Sequence, residues 1–132
     1  MPLLKMVTGD GSILTNDSLT AGNSVFLMLF NPTCDHCALV TDTLLHYYDH
    51  FKRTQLYLIA GDNMAPYLPE FIAAHHLKDY PDIKVGVDSA GLIQKILLYE
   101  SLPQVNVYDS THHLMQVFTG LQPAASYLPW IR

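Results

Sequence analysis

The chain has 132 residues, 49% of them hydrophobic and 14% charged, with a formal charge of −5. That length suits one domain over 1–132, burying about two-thirds of its unfolded surface, and the composition excludes a disordered chain. Seven scattered Lys and Arg residues argue against a nucleic-acid surface, and no apolar run reaches the roughly 18 residues of a membrane span.

In chain order, LLKMVTGDGSIL reads as a short hairpin turning on Gly9-Asp10-Gly11. SVFLMLF (24–30) is apolar on both faces, as expected of a central strand between helices. Pro32 and Thr33 break it, and Thr33 is the expected cap of a helix whose first turn holds Cys34, Asp35, His36 and Cys37. Spacings of three and four put Cys37, Val40, Leu44, Tyr48 and Phe51 on one face, so the helix is expected to reach about Phe51. A strand over 55–60 follows, then a helix near 65–77 with Pro66 and Pro69 in its opening turns.

A strand over 82–88, a helix over 90–99 and a loop ESLP complete the middle of the chain. Strands 104–109 and 114–120 form a hairpin, and a closing helix near 123–131 opens with Pro123 in its first position. Alternating strands and helices predict an α/β domain with a central sheet flanked by helices, made mixed by the last hairpin.

The only two cysteines, Cys34 and Cys37, stand three positions apart where the buried strand hands over to a helix. Reactive groups gather at the carboxyl ends of strands in open α/β sheets. A helix N-terminus there supplies free N–H groups and a positive dipole end that favour a thiolate. On this reading Cys34 is the exposed nucleophile and Cys37, one turn deeper, the resolving thiol for disulfide exchange.

A strand, a Cys-x-x-Cys at a helix start, a strand–helix unit and a late proline before a hairpin (SLPQVNVYD) together resemble the thioredoxin superfamily. The resemblance implies a thioredoxin-like fold, a cis Pro103 packed against the dithiol, and Leu102 as the residue whose backbone pairs with substrate; Thr33, before the first cysteine, joins them in the substrate-binding set. The N-terminal hairpin and the extra helix and strand within 61–88 look like TlpA- and ResA-type thiol-disulfide reductases. A peroxiredoxin would carry Pro seven and Thr or Ser three residues before its reactive Cys, where this chain has Leu27 and Asn31.

Three positions depart from those relatives: Thr33 replaces the usual Trp, Met28 a buried acid, and Val40 a Glu. Asp62, near the end of the second long strand, is then the candidate acceptor for the Cys37 proton, with water as the alternative. Between the cysteines, a protonated His36 favours the Cys34 thiolate and Asp35 opposes it. A potential of roughly −270 to −120 mV is expected.

A metal site would need two ligands beyond the cysteines. His112-His113 belongs to a turn expected at the far end of the sheet, and His75-His76 reads as surface decoration at a helix end. The expected function is thiol-disulfide exchange with protein substrates and a dithiol electron donor, reductive in direction, with no cofactor or metal. The alternative is a non-redox binding module presenting the strand edge at Leu102-Pro103. The resemblance favours a bacterial cell envelope, with the cytoplasm as the alternative, although MPLLKMVTGDG lacks the features of a signal peptide.

Overall fold

The computed structural model describes residues 1–98 and 101–132. Tyr99, at the end of the expected third helix, and Glu100, opening the expected loop, lie outside the described residues. The described strands are β1 (Lys5–Thr8), β2 (Ile13–Thr15), β3 (Ser24–Phe30), β4 (Thr54–Ala60), β5 (Lys84–Asp88), β6 (Gln104–Tyr108) and β7 (Leu114–Thr119). They form one sheet in the order β2-β1-β5-β4-β3-β6-β7. β3, β4 and β5 run parallel, while β6 lies antiparallel to β3, and β1 to β5.

The central position of β3 explains its unbroken apolar run. Phe26, Met28 and Phe30 point into one core layer, with Cys37, Val40 and Leu44 from α1 (Asp35–His46) and Leu68 and Phe71 from α2 (Leu68–Ala74). Val25, Leu27 and Leu29 point into the other, with Leu4, Met6, Tyr57, Ile59 and Leu92, the last from α3 (Leu92–Ile96). Period-two alternation therefore feeds two cores at once, each of which a polar substitution in β3 would open. In β5, Gly86 lies so near the Val7 backbone that any Cβ would overlap it.

The helices are shorter than periodicity implied. α1 stops at His46 and a separate 3-10 turn covers Tyr48–His50. Tyr47-Tyr48-Asp49-His50 is a run of weak helix formers, although Tyr48 and Phe51 still pack on the first core. The expected helix at 65–77 is a 3-10 segment, Asp62–Tyr67, followed by α2 and a second 3-10 turn, Leu77–Asp79. Pro66 and Pro69 lack N–H donors, so regular i→i−4 bonding begins late.

β5 begins at Lys84 rather than Asp82, because Ile83 N–H closes a turn onto the Tyr80 carbonyl. At the C-terminus Pro123 stands just before α4 (Ala124–Tyr127), as its N-cap rather than its first residue, and a 3-10 turn covers Leu128–Trp130. The buried Tyr127 is the anchor there, edge-to-face with Phe118, and Trp130 covers the same core from a half-buried position.

Candidate active site

Parallel pairing of β3 with β4 brings their carboxyl ends together, and the segment 31–34 leaves the sheet at that end. Asn31 organises it. Its Oδ1 accepts the Thr33 N–H at 2.9 Å and the Thr33 hydroxyl at 2.7 Å, and its carbonyl accepts the Cys34 N–H at 3.0 Å. The side chain thus closes an Asx turn over Pro32. The chain then enters α1 with Cys34 in extended geometry (φ −90°, ψ 125°).

Cys34, not Thr33, is the helix cap. Its Sγ accepts the Cys37 backbone N–H at 3.4 Å, while the Thr33 hydroxyl is already committed to Asn31. A sulfur standing on the orphan N–H groups of a first helical turn is where negative charge is best tolerated. Asp35 and His36 occupy that turn and are exposed.

The two sulfurs differ in access. Cys34 is half-buried and Cys37 is 0% exposed; both are free thiols. Burial pushes the Cys37 thiol up from 9.0 to about 12; the Asn31 backbone N–H opposes that rise and the neighbouring Cys34 sulfur adds to it. Cys37 therefore stays protonated at neutral pH until something removes its proton. Asp62 is exposed at the start of the 3-10 segment after β4, and no hydrogen bond among the described residues joins it to either sulfur.

Pro103 is buried, Leu102 half-buried, and the peptide bond between them is cis. Pairing of Leu29 with Gln104 sets the start of β6 beside the end of β3. Cys34 and Leu102 pack against the same core. The structure thus brings Thr33, Cys34, Cys37, Leu102 and Pro103 to one end of the sheet, with Asp62 at the same end.

The histidines fall elsewhere. Pairing of Val25 with Tyr108 puts the β6–β7 turn, with His112 and His113, at the opposite end of the sheet. His75 is not surface decoration: its side chain is 9% exposed, and its Nδ1 lies 2.7 Å from Asp42 Oδ1 on α1. The ring also packs on Phe71, which packs on Phe30, so α2 is tied to the helix that carries the cysteines. Its neighbour His76 is exposed. Among the described residues, no group of three His, Cys, Asp or Glu side chains is arranged to hold a metal. A cleft of about 690 Å³ between the N-terminal hairpin and α2 is lined by none of residues 31–37.

Asn31 is the residue that sequence reasoning passed over. An Asn-Pro-Thr run directly after an apolar strand is an Asx-turn signal that could have found it.

The chain superimposes on solved structures over nearly its whole length. A thiol:disulfide interchange protein of Chlorobium tepidum TLS, described as a thioredoxin family protein, matches with a TM-score of 0.78 at 18% identity, covering 98% of this chain and 91% of that one. The fold is thioredoxin-like. StoA from Bacillus subtilis matches with a TM-score of 0.75 at 17% identity, over 99% of this chain and 97% of its own. A secreted Mycobacterium tuberculosis disulfide oxidoreductase, homologous to Escherichia coli DsbE, matches with a TM-score of 0.76 at 15% identity, over 96% and 92%. No protein-family model matches the sequence, and no curated protein matches it. Among the described residues, no helix of this thioredoxin-like chain is long and apolar enough to cross a membrane.

Proposed function

We propose that the chain is a thiol-disulfide oxidoreductase that exchanges the Cys34–Cys37 dithiol with disulfides in protein substrates. The observation that carries this reading is the asymmetric pair itself: Cys34 Sγ sits on the Cys37 N–H at the mouth of α1, with Cys37 fully buried behind it. An accessible, charge-tolerant sulfur backed by a protonated one is what a nucleophile and a resolving thiol require.

The Cys34 thiolate attacks one sulfur of the substrate disulfide. A Cys34–substrate bond forms, the substrate S–S bond breaks, and the released thiolate takes up a proton. Cys37 then loses its proton, attacks Cys34 Sγ and displaces the second substrate thiolate. Two electrons have moved to the substrate and the pair is a disulfide, which a dithiol donor reduces again by the same two steps in reverse. Asp35 and His36, exposed in the first turn, set the balance of charge near Cys34 in opposite directions. Thr33, Leu102 and Pro103 receive the substrate backbone, and Asp62 or water takes the Cys37 proton.

Net reduction of substrates in a bacterial cell envelope is the direction and place we assign. TlpA- and ResA-like layout supports it, as do neighbours described as thiol:disulfide interchange and secreted disulfide oxidoreductase proteins.

Trapping tests the assignment. Cys37→Ser, incubated with a disulfide-bonded peptide, is expected to accumulate a mixed disulfide at Cys34 that dithiothreitol releases. Absence of that adduct, with the wild type also unreactive, would leave the non-redox binding module at the Leu102–Pro103 edge.

A further inference from the structure

Gln104 opens β6 directly after Pro103 and is 1% exposed. A glutamine so deeply buried needs partners for its carbonyl oxygen and both amide hydrogens. Its Oε1 accepts the Leu98 N–H at 2.8 Å, and its Nε2 donates to the Ile96 carbonyl at 2.8 Å. The other amide hydrogen goes to Asn106 Oδ1 at 2.9 Å, and Asn106 Nδ2 in turn donates to the Tyr108 hydroxyl at 3.2 Å.

The grip on Ile96 and Leu98 has a recognisable form. A residue in a parallel strand donates to the carbonyl before, and accepts from the N–H after, the residue beside it. The Gln104 carboxamide makes that same pair around Leu97, which leaves α3 in extended geometry (φ −69°, ψ 130°). One side chain therefore does for Ile96–Leu98 what a neighbouring strand would do. Ser101 and Pro103 are held separately by Gly120, at φ 67°, whose N–H faces the Ser101 carbonyl at 3.1 Å and the Pro103 carbonyl at 2.8 Å.

We infer that Gln104 is a positioning residue, which holds Ile96 and Leu98 against the start of β6 so that Leu102 presents its backbone to an extended peptide beside Cys34. This rests on the exchange reading above. The requirement is chemical as well as steric. An ionised Glu keeps the acceptor for Leu98 and loses the donor for Ile96, and Leu offers neither.

The full chain carrying Gln104→Leu or Gln104→Glu is assayed for reduction of two probes. One is an intermolecular disulfide of a short cysteine peptide; the other is dithionitrobenzoate, a small aromatic disulfide with no peptide backbone to dock. KM for the peptide is expected to rise about tenfold, with kcat changed by less than about twofold. The peptide-to-dithionitrobenzoate rate ratio falls accordingly, and the Cys34–Cys37 potential stays at the wild-type value. An unchanged KM, or equal slowing with both probes, overturns the assignment. If Gln104→Leu does not fold, Gln104→Glu carries the test. A wild type that reduces neither probe removes the exchange reading and leaves Gln104 to be judged by amide hydrogen exchange. Ser101 and Leu102 should then exchange about tenfold faster in Gln104→Glu, and Leu98 as well in Gln104→Leu; wild-type rates there would refute the positioning role.

Discussion

Two turns at opposite ends of the sheet are built alike. At one, Asn31 Oδ1 accepts the Thr33 N–H at 2.9 Å and its hydroxyl at 2.7 Å. At the other, Asp109 Oδ1 accepts the Thr111 N–H at 2.9 Å and its hydroxyl at 2.8 Å. Each is followed by a residue with metal-binding or redox chemistry, Cys34 in the first and His112 in the second. Only what comes next separates them. After Thr33 the chain enters α1, where the orphan Cys37 N–H meets the Cys34 sulfur. After Thr111 it passes through His112 at φ 65° and closes a hairpin, with no helix to receive it. The turn chemistry is therefore scaffolding, and the candidate site comes from a strand end, a helix mouth and a buried second thiol meeting in one place.

The strongest way to break that comparison is Cys34→Ser, expected to lower the exchange rate with a peptide disulfide by at least about a thousandfold. The double substitution His112→Ala/His113→Ala at the other turn is expected to leave the rate as it was. Equal losses at the two ends would mean that the turns, not the helix mouth, matter. Kinetics in single turnover would read both.

Next in size is the effect of pH. The Cys37 thiol lies well above neutrality, so its thiolate fraction, and the resolving step, should rise about tenfold per pH unit from 6 to 9. The sign for stability is opposite. Cys37 titrates at about 12 in the folded chain against an ordinary 9.0, so its contribution is full below pH 9 and is lost as pH rises toward 12. Tyr127, raised from 10.0 to about 12 by burial, acts in the same sense. Urea unfolding of the reduced protein between pH 8 and 11 should show the decline, and Cys37→Ala should flatten it in part. A reduced protein whose stability is constant over that range would contradict the burial of Cys37.

Much of this arrangement was legible in the sequence, and the reasons differ by element. β3 announced itself because both its faces are apolar, and the cysteines because both lie at its carboxyl end. Helix ends were harder. The Tyr47–His50 run packs well enough to look helical by spacing but bonds as a 3-10 turn. Gln104 and Asn106 alternate with valines in QVNVY, a pattern that reads as a strand with a wet face. They are buried because the exit of α3 lies over that face, and sequence periodicity does not report what covers a strand. The His75–Asp42 pair joins residues 33 positions apart and had no local signal.

The smallest predicted difference sharpens the comparison of the two turns most finely. Asn31→Ala and Asp109→Ala each remove an Asx turn and should each cost about 1–2 kcal/mol in chemical denaturation. Only Asn31→Ala should also slow exchange, by roughly threefold to tenfold, since only its turn sets the position of Cys34. If Asp109→Ala slowed exchange as much, the two ends of the sheet would be coupled and not independent.

The central claim is that Cys34 and Cys37 form a working redox couple. Equilibration in glutathione buffers, followed by alkylation and mass analysis, tests it most directly. One intramolecular disulfide, with a midpoint between roughly −270 and −120 mV, is the predicted result. Cysteines that remain reduced throughout, or that carry only separate glutathione adducts, would contradict it.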